Sequence, residues 1–364
     1  MAEHDNTSQR VQGEELRLFI ARILERVGLP GIDADAVAAL MAEADLQGSD
    51  GHGVIRLPQY VQRIEAGGIN RTPDIRVVQE RAAMAVVDGD NGMGHLVVSR
   101  AVQVAIDKAR DAGVAWVGTR NSNHAGPASL YARMPLSHDM IGLYFAVGNA
   151  NHLPPWGGMD MLLSTNPIAA GIPAGDEPPV VLDMATTVAA YGKVKAKAKR
   201  GEPMPEGWMV DRQGKPLTDP NRAHEGFLMP IGGHKGYGLA LIVGLLAGTL
   251  QGAAMGRDVV DFNADHVTPT NTGQAILVID LAAFGGAAPF KAAVDTLVRD
   301  IRSSERLPDV ERIWLPGEQS HGKRQAYEKD GAPLPAALLT DLDRLAERVG
   351  VEPLRRMSAG PAGG

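Results

Sequence analysis

The chain of 364 residues contains no cysteine. It therefore offers no disulfide, no thiolate nucleophile and no cysteine-ligated metal site, which is typical of the cytoplasm. The first residues lack the apolar core of a secretory signal. The most apolar run, residues 237–250, is too short and too rich in glycine to span a bilayer. We therefore expect a cytoplasmic protein without a membrane partner.

Positive charge is also scarce. The 36 Lys and Arg residues are outnumbered by 43 Asp and Glu residues, which gives a net charge of -7. The densest basic run, residues 193–200, alternates with small apolar residues, so its charges spread around a helix. This pattern predicts no nucleic-acid partner.

Three common cofactor and metal motifs are missing. No G-x-G-x-x-G follows a strand-like run, no G-x-x-x-x-G-K-[ST] loop occurs, and the ten His residues show no H-E-x-x-H spacing. We therefore predict no metal ligands and no classical dinucleotide fingerprint. A hydrolase or lyase in which His52, His124 and His152 surround a metal remains a distant alternative.

A histidine between two glycines is the most informative feature that is present. His52 lies in the run DGHGVIR, residues 50–56, four residues before Arg56. Imidazole can give and take a proton near neutral pH, and a guanidinium can bind a planar carboxylate through two hydrogen bonds. The run predicts a site that holds and protonates a small acid. The alternative is a local hydrogen-bonding role for His52 in a glycine-rich loop.

Periodic patterns predict helices near both ends of the chain and strands between them. Helices are predicted over residues 14–27, 33–45, 58–65, 95–113, 289–302 and 334–349, and from residue 232 onward. Strands are predicted over residues 75–80, 83–90, 114–120, 141–148, 178–184 and 275–280. Three of these strands end in polar clusters, which suggests a ligand-binding rim.

Several further residues have both a functional and a structural interpretation. The run GGHKGYG, residues 232–238, can bind phosphate at a helix N-terminus through Lys235, or it can serve close helix packing. Asp183 can orient a catalytic histidine or cap the helix that follows it. His124 and Asn166 each follow a strand-like run, where turn chemistry is the simpler explanation.

Taken together, these segments resemble the malate/L-lactate dehydrogenase family of NAD(P)-dependent oxidoreductases, which binds its dinucleotide on a non-Rossmann α/β fold. The resemblance covers residues 14–320. It is carried in chain order by DGHGVIRLPQY, NSNHAG, STNP, VLDMATT, EGW, PIGGHKGYGLA and LPGE.

The resemblance implies roles for individual residues. His52 matches the catalytic acid/base histidine, Asp183 the acid in relay with it, and Arg56 the arginine at the substrate carboxylate. His124 matches a catalytic-site histidine near the nicotinamide. The segments that resemble cofactor-contacting ones contain His124, Asn166, Leu182, Asp183, Met184, Ala185, Thr186, Thr187, His234, Lys235, Gly236, Pro316, Gly317 and Glu318.

The chain also departs from the family pattern. Gly51 stands where relatives usually carry serine, Ala125 where phenylalanine is common, and Ser164 where glycine is common. A serine relay is therefore not expected. Together with the extra His152, the smaller Ala125 suggests a substrate different from those of the best-known members.

We predict an α/β fold with a non-Rossmann dinucleotide-binding domain, residues 75–224, and a helix-rich domain built from residues 1–74 and 225–350. Residues 351–364 are expected to be a disordered tail. The resemblance implies a homodimer that transfers a hydride between NAD or NADP and C2 of a small 2-hydroxy or 2-oxo carboxylic acid, of the malate, lactate or sulfolactate type. A cyclic imine 2-carboxylate reductase is the nearest alternative, and a non-enzymatic dinucleotide sensor is a more distant one.

Overall fold

The computed structural model describes residues 8–357, apart from the side chain of Lys199. Its helices are α1 (Gly13–Arg26), α2 (Gly31–Leu46), α3 (Leu57–Glu65), α4 (Gly94–Ala112), α5 (Ser129–Arg133), α6 (Tyr191–Arg200), α7 (His234–Ala247), α8 (Ala287–Ser303), α9 (Glu318–Asp330), α10 (Ala336–Val349) and α11 (Leu354–Met357). Its strands are β1 (Ser8–Val11), β2 (Arg76–Arg81), β3 (Met84–Asp88), β4 (Val114–Ser122), β5 (Met140–Ala146), β6 (Ile168–Ile172), β7 (Val180–Met184), β8 (Met209–Asp211), β9 (Gly226–Leu228), β10 (Thr272–Asp280) and β11 (Ala332–Pro335).

A seven-stranded mixed sheet has the strand order β2-β3-β4-β10-β5-β6-β7. Strands β3 and β4 are parallel, since α4 crosses between them. The other neighbouring pairs in this sheet are antiparallel. Two small sheets pair β1 with β11 and β8 with β9. The predicted α/β class is confirmed.

Helix α4 shows how the sequence pattern produces the packing. Its apolar residues recur at helical spacing, and Val98, Ala101, Val102 and Ala105 are buried in the core of the sheet. The helix ends where Gly113 adopts a φ of 77°, which a residue without a side chain reaches easily. This is the predicted end of the helix.

The buried apolar residues form two main clusters. One lies among α1, α2, α3 and α10, and the other covers the central sheet beneath α4 and α5. Ala44 of α2 belongs to the sheet cluster, whereas Met93 and Phe262 from outside the terminal helices belong to the helical cluster. The two clusters therefore interlock.

Some predicted boundaries need correction. Strand β10 lies within residues 225–350, which we assigned to the helix-rich domain, yet it pairs with β4 and β5 in the middle of the sheet. Helix α2 begins at Gly31, two residues before the predicted start at residue 33. Leu354 of α11 is fully buried in the helical cluster, so the predicted disorder does not hold for residues 351–357. Residues 358–364 lie outside the described residues.

Within residues 8–357, no helix is both long enough and apolar enough to cross a membrane.

Candidate functional site

The loop between α2 and α3 carries His52 and is anchored by a buried carboxyl group. Asp45, near the end of α2, accepts a hydrogen bond of 2.8 Å from the backbone N–H of Val54. Burial raises the pKa of Asp45 to about 8, against the opposing effect of that hydrogen bond. The chain passes close to this carboxyl group, since a Cβ added at Gly53 would lie 2.1 Å from Asp45 Oδ1. His52 is therefore held by a fixed turn.

The imidazole of His52 meets a second imidazole. Its Nδ1 lies 3.3 Å from Nε2 of His124, and the two rings stack with an interplanar angle of 13°. His124 is 8% exposed, and its Nδ1 lies 2.5 Å from the hydroxyl oxygen of Tyr60, which is fully buried. His52 Nε2 makes no hydrogen bond to a residue in the described part of the chain, so this nitrogen is available to a reactant.

Burial keeps both imidazoles neutral. Desolvation, aided by the nearby positive charge of Arg56, lowers the pKa of His52 to about 4. Desolvation also lowers the pKa of His124 well below its usual range, with Arg56, His52 and His95 adding to the effect. Near pH 7 His52 therefore carries a lone pair that can accept a proton.

Arg56 lies beside this pair with part of its guanidinium free. Its Nε donates to the carbonyl of Gly51 at 2.8 Å, and its Nη1 donates to Gln59 at 3.0 Å and to Asn263 at 3.4 Å. No described residue accepts a hydrogen bond from Nη2. The side chain is thus oriented by the protein and retains donors for a carboxylate.

Asp183, at the end of β7, has a different partner from the one that the sequence suggested. Its Oδ2 accepts a hydrogen bond of 2.8 Å from the backbone N–H of Ser129, at the start of α5. Desolvation raises the pKa of Asp183, while Ser129 and Arg133 oppose that rise. Among the described residues, no hydrogen bond joins Asp183 to His52. The structure brings His124, and not Asp183, to the ring of His52.

The predicted cofactor segments converge along β7, the edge strand of the sheet. The N–H of Val181 donates to the carbonyl of Pro316 at 3.0 Å, and the N–H of Ile231 donates to the carbonyl of Thr186 at 3.0 Å. Asn166 donates from Nδ2 to the carbonyl of Ala240 on α7. Residues that are far apart in the sequence therefore form one continuous surface.

Besides His124 and Asp183, four of the predicted cofactor residues use their side-chain polar groups within the protein. Asn166 Oδ1 also accepts from the N–H of Gly148, and the hydroxyls of Thr186 and Thr187 donate to backbone carbonyls. Glu318 forms ion pairs with Arg302 and Arg312. These side chains shape the surface, and any contact from these residues to a cofactor would have to involve other atoms.

The N-terminus of α7 is the part of this surface that fits an anion. His234 and Lys235 are exposed, and neither forms a hydrogen bond with a described residue. A Cβ at Gly232 would meet open space, whereas one at Gly236 would lie 2.0 Å from the carbonyl of Ile231. The glycine-rich run therefore serves packing at Gly236 and leaves the helix N-terminus accessible, as binding of a dinucleotide phosphate requires.

Three residues at the site were missed as functional candidates. Tyr60 lies within the motif DGHGVIRLPQY, which placed it next to the site without indicating its partner. Phe262 packs its ring 5.6 Å from that of His124, and Asn263 contacts Arg56. No local pattern marks the segment around Phe262, because it reaches the site from a loop more than 130 residues away from His124 in the sequence.

The structure also shows what surrounds the residues that depart from the family pattern. A Cβ at Gly51 would meet open space, and Ala125 is buried in the sheet cluster. His152 stacks on the ring of Tyr191 with centroids 4.1 Å apart. Within the described part of the chain, no group of three or more His, Asp or Glu side chains is arranged to hold a metal ion.

Known proteins resemble this chain over nearly its whole length. A model of the malate/L-lactate dehydrogenase family matches residues 11–343. The malate dehydrogenase of Pyrococcus horikoshii is 39% identical over 96% of this chain and 98% of its own. Its solved structure superposes with a TM-score of 0.88, at 36% identity over 97% of this chain and 99% of that one.

Two other relatives act on different compounds. The L-sulfolactate dehydrogenase of Methanocaldococcus jannaschii is 37% identical over 93% of this chain and 96% of its own. The solved structure of a delta1-piperideine-2-carboxylate reductase from Pseudomonas syringae gives a TM-score of 0.81, at 31% identity over 93% of this chain and all of that one. The resemblance inferred from the motifs is confirmed: this chain belongs to the malate/L-lactate dehydrogenase family and is an oxidoreductase.

Proposed function

We propose that the protein transfers a hydride between a nicotinamide dinucleotide and C2 of a small 2-hydroxy or 2-oxo carboxylic acid, of the malate, lactate or sulfolactate type. One observation carries this proposal. His52, with its free Nε2, lies beside Arg56, with its free Nη2, so a proton-transfer group and a carboxylate-binding group share one site.

The residues of this chain would act as follows. Arg56 binds the C1 carboxylate of the acid, and His52 accepts the proton of the C2 hydroxyl at Nε2 in oxidation or returns it in reduction. The bound carboxylate neutralises Arg56, which removes one cause of the low pKa of His52 and makes the imidazole a better base. His124 supports His52 through its Nε2. Asp183 holds the backbone of Ser129 five residues after His124.

The nicotinamide dinucleotide would supply the hydride acceptor or donor. The exposed side chains of His234 and Lys235 support phosphate binding at the start of α7. The half-buried residues Met184 and Ala185 support binding of the rest of the dinucleotide along β7. We propose NAD or NADP as the cofactor and the cytoplasm as the location, in keeping with the absence of cysteine.

A reductase of cyclic imine 2-carboxylates is a second candidate. The likeness to the piperideine-carboxylate reductase, with a TM-score of 0.81, favours it. In this reaction His52 would protonate the ring nitrogen of the imine instead of a carbonyl oxygen. Arg56 would keep its role, because the carboxylate is common to both classes.

A substrate panel tests the proposal. The wild type, His52→Ala and the control His224→Ala would be assayed by nicotinamide absorbance on 2-hydroxy acids, 2-oxo acids and cyclic imine carboxylates, with NAD(H) and NADP(H). His224 is a suitable control because its side chain is 76% exposed. We expect turnover of hydroxy and oxo acids, a loss of at least about 100-fold in kcat for His52→Ala, and unchanged dinucleotide affinity in both variants.

Other results of the same panel would contradict the proposal. Near-normal turnover in His52→Ala would remove the assigned proton donor. A strong preference for imines would favour the second candidate. Dinucleotide binding without turnover of any acid or imine would favour a sensor. Loss of activity when a strong chelator is added to the same assay would favour metal catalysis.

We also propose that the active form is a homodimer. Helix α7 leaves Leu239, Ile242 and Leu245 37%, 53% and 41% exposed, which is costly for three apolar side chains on one helix. A second copy of the chain would cover them. Light scattering of the purified protein should give about twice the chain mass of 38.5 kDa, and a monomer mass would contradict this proposal.

A further inference from the structure

We propose that Tyr60 is a positioning residue that orients His124 and, through it, directs the free Nε2 of His52 toward the reacting oxygen. The inference rests on the proposed function, because it concerns the same proton transfer. Tyr60 lies on α3, His124 follows β4, and His52 lies in the loop before α3. Three separate segments thus meet through two contacts between polar atoms.

The contacts join Tyr60, His124 and His52 in a row that ends at the free Nε2 of His52. The hydroxyl oxygen of Tyr60 lies 2.5 Å from Nδ1 of His124, and Nε2 of His124 lies 3.3 Å from Nδ1 of His52. Tyr60 is fully buried and His124 is 8% exposed, so the Tyr60 hydroxyl is poorly placed to exchange this contact for water. Of the four ring nitrogens of His52 and His124, only Nε2 of His52 has no partner among the described residues.

The direction of hydrogen bonding gives the Tyr60 oxygen a specific role. When His52 is protonated, both of its nitrogens carry hydrogen, so Nδ1 donates to Nε2 of His124. His124 then carries its own hydrogen on Nδ1 and donates it to the phenol oxygen. When His52 is neutral, the two hydrogen bonds can also point in the opposite direction, because the Tyr60 hydroxyl can donate to Nδ1 of His124. Losing the hydroxyl therefore disfavours protonated His52 more than neutral His52.

Few charged or titratable groups surround Tyr60, His124 and His52. Arg56 acts on all three members, His95 on α4 places its ring edge-on to Tyr60 at 5.5 Å, and Tyr131 on α5 lies nearby. Burial lowers the pKa of His95 to about 3 and raises the pKa of Tyr60, so the former stays neutral and the latter stays a phenol near pH 7. None of these neighbours forms a hydrogen bond with the Tyr60 hydroxyl.

Tyr60→Phe tests the proposal, since it removes one oxygen and keeps the ring. For the full chain with its dinucleotide, we expect kcat to fall by about 10- to 100-fold, the size expected when the buried Nδ1–H of His124 is left without an acceptor. The KM for the acid and the dinucleotide affinity should change by less than about twofold. The acidic limb of the kcat profile for oxidation should move to lower pH. An unchanged kcat and pH profile would overturn the proposal.

Tyr131→Phe is the matched control. Its hydroxyl is also buried and also makes a 2.5 Å hydrogen bond, but it donates to the backbone carbonyl of Ala125 and not to an imidazole. We expect wild-type kcat and a wild-type pH profile for this variant. If Tyr131→Phe moved the profile as far as Tyr60→Phe, the effect would reflect general loosening and the proposal would fail.

A double-mutant cycle tests whether Tyr60 acts through His124. His124→Gln removes the atom that Tyr60 contacts, so adding Tyr60→Phe to it should produce no further loss in single-turnover rate. Additive losses would show that Tyr60 acts on something else and would overturn the proposal.

A measurement on the wild type covers the case in which Tyr60→Phe does not fold. Nitrogen-15 NMR of the histidines should show His124 Nδ1 in a hydrogen bond and His52 Nε2 without one, and the opposite pattern would overturn the proposal. The NMR result does not depend on turnover. A wild type that is inactive on every acid but shows the expected NMR pattern would therefore count against the proposed function alone.

Discussion

At the scale of single residues, the two glycines beside His52 have opposite surroundings. A side chain at Gly51 would enter open space, whereas a Cβ at Gly53 would overlap the carboxyl group of Asp45. We predict that Gly51→Ser changes the free energy of unfolding by less than about 0.5 kcal/mol. The same change at Gly53 should cost about 1–3 kcal/mol, because Asp45 must move away from Val54. Urea unfolding of both variants measures the difference.

The turnover of the same pair shows whether the loop positions His52. Because Gly53→Ser displaces the anchor of the loop, its kcat should fall more than its stability alone explains, while Gly51→Ser should keep most of the activity. Equal stability of the two variants would contradict the environment described for Gly53. A large loss of stability in Gly51→Ser would contradict the open space at Gly51.

Many residues of the candidate site could be proposed from the sequence at this scale, and contacts across the fold account for the rest. His52 and Arg56 share one short run whose chemistry is readable from residue types. The partner of His52 could not be predicted from the sequence, because His124 is 72 positions away. Asp183 was an equally reasonable candidate for the group that contacts His52. His124 reaches His52 because α3 packs against the segment that follows β4. The spacing of residues in the sequence does not reveal that packing.

At the scale of elements, the buried carboxyl group at the end of α2 should make stability depend on pH. Its pKa in the fold, about 8, lies above the ordinary value of 3.8, so the folded protein binds more protons between those values. The stabilisation that Asp45 contributes is complete below about pH 4 and is lost as pH rises through 8, at up to about 1.4 kcal/mol per pH unit. Asp45→Asn should not lose stability in this way, because an amide oxygen can still accept from Val54.

The comparison is made by urea unfolding of the wild type and Asp45→Asn between pH 5 and 9. The low pKa values of His52, His95 and His124 act in the opposite direction below about 6.5, but they are common to both proteins and cancel in the difference. Asp295→Asn is the control: its carboxylate also accepts backbone N–H groups, but its pKa is lowered, so its effect should be constant above pH 5. Parallel curves for the wild type and Asp45→Asn would contradict the prediction.

Elements with a strong period were predictable, and those without one were not. Helices α1, α4, α8 and α10 follow apolar spacing and agree with the prediction to within a few residues. Strand β6 has the sequence IAAGI, whose small residues carry no alternating pattern, and it forms because β5 and β7 pair with it on both sides. Local pattern therefore fails where pairing with distant strands supplies the stabilisation.

At the scale of the whole molecule, the order of strands departs most from the chain order. Strand β10 was predicted as a strand, yet its segment was assigned to the helix-rich domain because helices flank it in the sequence. In the fold it lies between β4 and β5, while Phe262, shortly before it, packs against Tyr60 of α3. We propose that the helical and sheet-based regions are two domains that do not fold independently.

This proposal predicts a single cooperative unfolding transition. Ala44 inserts α2 into the sheet cluster and Phe262 inserts the loop before β10 into the helical cluster, so neither cluster stays intact when the other opens. All four tryptophans lie outside α1, α2 and α3, and Trp116 lies in β4 of the sheet. Fluorescence therefore reports on unfolding outside the helical cluster, while circular dichroism at 222 nm reports on all helices, including those of that cluster. Urea transitions followed by the two signals should coincide.

A core substitution confined to the terminal helices gives the sharpest form of this test. Phe19 of α1 is fully buried in the helical cluster, and Phe19→Ala should cost about 3–5 kcal/mol. If the regions are coupled, the tryptophan transition must move to lower urea together with the dichroism transition. Val278→Ala, in β10 and the sheet cluster, should likewise move both signals. A Phe19→Ala variant that shifts only part of the dichroism signal and leaves the fluorescence transition unchanged would show two independently folding domains, because the sheet would then keep its stability without the helical region that carries His52 and Tyr60.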